Sequence, residues 1–134
     1  MQLSAVPFLA HALIECIGAT SFILYPASQI PNPSREASLV SQLVGGALLQ
    51  SSLIALIIAF KSEFAVDSGA WDNADRALAL AFAFWHVWPC YRAIARIQSR
   101  GGEGAKTQQT LGGPVVHLGV HSVLLSAFLW SALQ

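Results

Sequence analysis

Five ionisable side chains lie deep within apolar segments of this chain: His11 and Glu15 in the first, His86 in the third, and His117 and His121 in the last. His11 and Glu15 are four residues apart, as are His117 and His121, so each pair shares one helix face about 40° apart. A carboxyl in apolar surroundings resists ionisation. Held neutral, it is the form able to donate a proton to an alkene, an epoxide or a carbonyl. Glu15 is therefore read as a general acid and His11 as the group that orients or reprotonates it. His86 and His121 are read as a base or hydrogen-bond donors.

Around His86 the aromatic residues Trp85, Trp88 and Tyr91 recur at three-residue intervals. Their ring faces suit a developing cation, and equally suit packing or anchoring at a membrane interface. Gln50, His117 and Arg92 complete the expected substrate contacts. Arg92 begins a one-turn series with Arg96 and Arg100, suited to an anionic substrate tail or to snorkelling toward lipid phosphates.

The same side chains are metal-ligand types: His117 and His121 with His86 or Glu15 make a conceivable metal or haem site. The paired Glu-x-x-His pattern of di-iron bundles is missing, and Cys16 and Cys90 lie apart from the histidines. The expectation is no metal and no cofactor. Neither a phosphate-binding glycine loop, a GxSxG elbow nor an HExxH helix occurs in the sequence, which argues against nucleotide chemistry.

The elements that must position these groups follow from composition. Of 134 residues, 54% are hydrophobic and only 10% charged, against about 25% charged in an ordinary soluble domain. Mean hydropathy is +0.56. Seven basic and seven acidic residues cancel, so no net charge points to nucleic acid. Crossing about 30 Å of hydrocarbon takes roughly 20 helical residues. Four stretches qualify, about 5–25, 37–60, 76–97 and 114–133. The expected fold is an all-α integral membrane bundle of four transmembrane helices, forming one domain over 1–134.

Pro26 and the Pro31–Ser34 turn end the first span. Ser34 is placed to cap the second helix, and Asp72 or Asn73 the third. Pro89 falls inside the third span and is expected to bend it near His86. Residues 61–75 read as a polar connection and 98–113 as a flexible Gly-, Gln- and Ser-rich loop. Gly18-Ala19 and Gly45-Gly46-Ala47 offer close helix approach. The first segment contains no basic residue before Phe8 and is too long for a signal h-region, so it is read as a mature helix. Arg35, Arg92, Arg96, Arg100 and Lys106 fall on one side, while Lys61 and Arg76 share the other with four acids. The positive-inside rule then leaves both termini non-cytoplasmic. In a eukaryotic cell the endoplasmic reticulum membrane is the expected location.

The phrase His11-Ala-Leu-Ile-Glu15 resembles the His-x-x-x-Glu helix signature of the sterol-isomerase (EXPERA) type of small four-helix membrane proteins. The resemblance implies that an intramembrane acid protonates a buried alkene while aromatic side chains shelter the cation. It rests on those two residues, on chain length and on helix count; no second intramembrane acid matches. The chain also resembles small uncharacterised four-helix membrane proteins of fungi and bacteria. The expected function is acid/base isomerisation or cyclisation of a lipophilic small molecule (a sterol, terpenoid or polyketide) between the helices. The alternatives are a non-catalytic protein that binds lipid or stabilises a partner, and a His-ligated metal or haem protein. The expected partners are the substrate and the bilayer, with a homo-oligomer also compatible.

Overall fold

The computed structural model describes residues 2–30, 32–61, 71–99 and 113–134. They form four helices, α1 (Val6–Leu24), α2 (Arg35–Ala59), α3 (Asn73–Ser99) and α4 (Gly113–Ala132), with no strand among the described residues. Most of the polar connection 61–75 and of the loop 98–113, including Glu63, Asp67, Arg100 and Lys106, lies outside the described residues, as does Pro31.

Each helix boundary has a chemical cause. Leu3–Ala5 winds as a single 3-10 turn into α1, whose first turn accepts a proline because its N–H groups have no intrahelical partner. Tyr25 closes α1 before Pro26, and Pro26–Ser28 forms another 3-10 turn. Asn32, with φ 47°, takes the left-handed conformation that asparagine tolerates. The Ser34 hydroxyl caps α2 by accepting from the Ala37 N–H at 3.1 Å. Asp72 caps α3: its Oδ1 accepts from the Ala74 N–H at 2.7 Å and the Asp75 N–H at 3.1 Å. The Asp75 N–H, with further help from Ala74 and Lys61, holds the exposed Asp72 carboxyl below its ordinary range. α3 then continues through Pro89 without interruption.

The packing is two antiparallel hairpins, α1 along α2 and α3 along α4, joined where α1 also meets α4. Gly45 sets the α1–α2 approach. A Cβ there would lie 2.6 Å from Ile23 Cγ1 and 3.0 Å from the Ala19 carbonyl oxygen, so no side chain fits. Its neighbour Gly46 faces open space. At one end of the bundle Lys61 pairs with Asp75 and lies 3.8 Å from Asp72. Arg76 donates to the Gln134 carbonyl at 2.8 Å, and the Ser131 hydroxyl donates to the Ser4 carbonyl. At the other end Ser41 and Gln42 donate to the carbonyls of Phe22 and Ile23, at 3.3 and 3.2 Å.

The polarity is inverted relative to a water-soluble bundle. Leu13, Ile17, Leu43, Leu53, Phe84 and Val123 are each more than half exposed, while His11, Glu15, His86 and His121 are buried. Among the described residues, three helical stretches are long and apolar enough to cross a membrane: Leu3–Leu24, Arg35–Ala59 and Gly113–Ala132. α3 is not one of them. His86, Pro89 and Arg92, with the weakly hydropathic Trp85, Trp88 and Tyr91, interrupt its apolar run.

Candidate functional site

α1, α3 and α4 each turn histidine toward the bundle axis, and the buried rings form a chain. His11 Nδ1 lies 3.0 Å from His86 Nε2, and His86 Nδ1 lies 2.8 Å from His121 Nδ1. The outer end of the chain rests on α2, where His11 Nε2 lies 3.1 Å from Ser51 Oγ. Ser51 donates its own proton to the Leu48 carbonyl at 2.8 Å, so its oxygen accepts from His11 Nε2–H. That assignment propagates. His11 Nδ1 is then the acceptor for His86 Nε2–H, and His86 Nδ1 the acceptor for His121 Nδ1–H. Three neutral imidazoles thus share one direction of donation.

An aromatic floor closes the chain on the side nearer the chain termini. Phe82 and Phe128 stack at 5.3 Å, Phe8 meets both edge-on, and Phe128 stacks on His86 at 5.6 Å. Phe8 and Phe128 are fully buried. The polar cluster faces the opposite way.

There it meets Glu15. Its Oε1 is 3.7 Å from His121 Nδ1, too far for a hydrogen bond, and has no hydrogen-bond partner although it is buried. Glu15 and His11 share a helix face as their spacing predicts, but the nearest histidine nitrogen with which Glu15 pairs belongs to α4. Two adjoining cavities open from Glu15, of about 250 and 370 Å³, and both are lined by Glu15, Phe22, Arg92, His117 and His121. The smaller continues to Ser21 and Gln29, and the larger to Leu48, Trp85, Trp88 and Tyr91. Two more buried polar atoms without partners belong to these lining residues, Gln29 Oε1 and Trp85 Nε1. Such atoms are rare in folded proteins and costly in apolar surroundings.

Of the side chains named from sequence, Glu15, His11, His86 and His121 converge, and Trp85, His117 and Arg92 line the forked cavity. His117 meets His121 edge-on at 4.3 Å, and the Arg92 guanidinium lies 5.7 Å from the Phe22 ring centre. Trp88 and Tyr91, 60% and 65% exposed, stand at the rim of the larger lobe rather than inside it. Gln50 does not join. It is exposed and lines a separate groove with Cys16 and Leu53. Two residues, about 200° of helical rotation, separate Gln50 from both Leu48 and Ser52, which define the buried face of α2; Ser51, beside that face, is the side chain α2 contributes. That signal is present in the sequence, since Gly45, Leu48, Ser52, Ala55 and Ala59 follow helical spacing. Gln29, Phe8 and Phe128 carry no such signal.

The histidine and carboxylate atoms are also close enough to hold an ion: one ligand atom each from His11, Glu15 and His86 lie within 4.8 Å of one another. Comparison of the chain with protein-family models, with curated proteins and with solved structures gives no match.

Proposed function

We propose that the four helices form a membrane-embedded enzyme. It takes a lipophilic small molecule such as a sterol, terpenoid or polyketide into the forked cavity and isomerises or cyclises it by proton transfer at Glu15. The observation that carries this reading is the buried, unpartnered carboxyl oxygen on the wall common to both lobes. An acid left without a partner in an apolar pocket stays neutral at low cost only if a ligand completes it. Together the lobes have the volume of ordinary small-molecule sites, about 300–1,000 Å³. Trp85 would lie against the cationic centre formed on protonation, and its unpartnered indole N–H would bind a substrate oxygen. Arg92 at the far end suits an anionic or strongly polar tail. His121, whose Nδ1 lies 3.7 Å from the Glu15 carboxyl, would be the histidine that exchanges a proton with it.

For α3, which carries the most polar residues, a crossing is supported by its charges. Arg76 and Arg92 lie sixteen residues apart, about 24 Å along a helix, leaving an uncharged stretch between them that reaches across most of the hydrocarbon layer once both side chains snorkel. The positive-inside rule then places the Arg35 and Arg92 end in the cytoplasm and the termini outside or in a lumen.

Isomerisation and cyclisation conserve mass, and that defines the test. Deleting the gene from its own organism should make one lipophilic compound accumulate and remove another of identical mass and different retention on chromatography. The wild-type gene should restore the second compound, and Glu15→Gln, which keeps the shape and loses the proton, should not. Restoration by the Gln variant would remove the acid role from Glu15.

A further inference from the structure

We propose that His11, His86 and Glu15 form a binding site for a divalent first-row transition cation, with Ser51 and His121 as its outer shell. The inference meets the reading above at Glu15, which lines both lobes, while His11 and His86 stand behind it outside the cavity lining, and its geometry stands apart from that reading. Two imidazole nitrogens bound to one ion at about 2.0–2.1 Å lie roughly 2.9–3.4 Å apart, from octahedral to tetrahedral angles. His11 Nδ1 and His86 Nε2 are already 3.0 Å apart. One ligand atom from each of His11, His86 and Glu15 lies within 4.8 Å of the others, so the Glu15 carboxylate supplies the third ligand. Two histidines and one carboxylate, with remaining positions open, is the donor set of catalytic zinc and of non-haem iron(II).

The second observation concerns the nitrogens that point away from the site. A metal-bound histidine characteristically donates its other N–H to a fixed acceptor. His11 Nε2 lies against Ser51 Oγ at 3.1 Å, and Ser51 is made an acceptor by its own bond to the Leu48 carbonyl. His86 Nδ1 lies against His121 Nδ1 at 2.8 Å. Both ligands therefore have the required outer partner, each supplied by a different helix. All three ligands are at least 95% buried, so the apolar shell disfavours loss of the ion to water. The unpartnered Glu15 Oε1 is a third observation; ligation is the interaction that most directly satisfies a buried carboxylate.

Binding moves protons in a definite way. His86 Nε2 must give up its hydrogen to present a lone pair, so His86 becomes the Nδ1–H tautomer and His121 shifts its hydrogen from Nδ1 to Nε2. Glu15 releases its proton. With an ion bound, Glu15 would act as a ligand rather than as the proton donor, and the cation would supply acidity by lowering the pKa of a water on an open position.

The test is titration of full-length protein in nanodiscs, stripped by chelator, with Zn²⁺ and separately with Co²⁺. One ion should bind per chain, with release of a proton that grows as the pH is lowered. The Co²⁺ spectrum should lack thiolate charge transfer. His11→Ala, His86→Ala and Glu15→Gln should each weaken binding at least 100-fold. Ser51→Ala, a small change far less apt to disturb folding, should weaken it about 10- to 100-fold, while Cys16→Ser leaves it unchanged. Stoichiometric binding that survives Glu15→Gln and Ser51→Ala in folded protein, or absence of binding, would overturn the site. Absence of binding with Glu15-dependent conversion intact would remove the metal alone. Binding as described, with no mass-conserving pair of compounds, would remove the isomerase reading alone.

Discussion

Single residues decide how this bundle separates a dry half from a polar one. Phe128 is fully buried and stacks on both Phe82 and His86, so truncating it opens a void directly beneath the histidine chain. Because the unfolded helices would remain in lipid, little of the usual water-transfer cost applies, and what is lost is packing. Phe128→Ala should therefore lower stability in mixed detergent by on the order of 2 kcal/mol, below the roughly 3–5 kcal/mol of a soluble core. Titration with a denaturing detergent measures it. Sequence spacing identified Glu15 and the histidines because a charge-bearing side chain in an apolar run is conspicuous one residue at a time. Phe128 was not legible in that way. One phenylalanine among seven is chemically ordinary, and only the crossing of α1, α3 and α4 makes it a floor.

At the scale of the elements, the caps and breakers were readable because they act locally. Ser34 and Asp72 cap α2 and α3 through hydrogen bonds spanning two or three residues, and Pro26 ends α1 without reference to the rest of the fold. Asp72 also gives a pH dependence. Its carboxyl is held below the ordinary value of 3.8 in the folded state, so the stability it contributes is fully present above that value. It is lost as the pH falls through the folded value. Asp72→Asn should therefore melt below wild type near neutral pH and converge with it in the acid range, as followed by helix circular dichroism. Which glycine packs was not legible. Gly45 and Gly46 are adjacent, yet a methyl at Gly45 collides with α1 while one at Gly46 meets nothing. Gly45→Ala should destabilise by about 1–3 kcal/mol, and Gly46→Ala should be neutral in the same assay.

The whole molecule is organised by an inversion, with apolar side chains turned outward and ionisable ones inward, that composition announced and helix packing located. The four-helix count follows from hydropathy and proline placement, whereas the weak apolarity of α3 follows from the residues that line the cavity: Trp85, His86, Trp88, Pro89 and Arg92 make it the least lipid-like helix and the one most engaged with the site. Gln50 was expected where Ser51 stands because it was chosen for its polarity, although the helical spacing of Gly45, Leu48, Ser52, Ala55 and Ala59 turns it away from the buried face. The central claim is that a lipophilic molecule occupies the space around Glu15. Photolabelling the protein in nanodiscs with a diazirine-bearing farnesyl probe, followed by peptide mapping, tests it most directly. Labels on Phe22, Leu48 and Trp85 that disappear when Val44, which also lines the larger lobe, is enlarged by Val44→Trp are the predicted result. Labels confined to outward residues such as Leu43, Leu53 and Val123, unchanged by Val44→Trp, would contradict it.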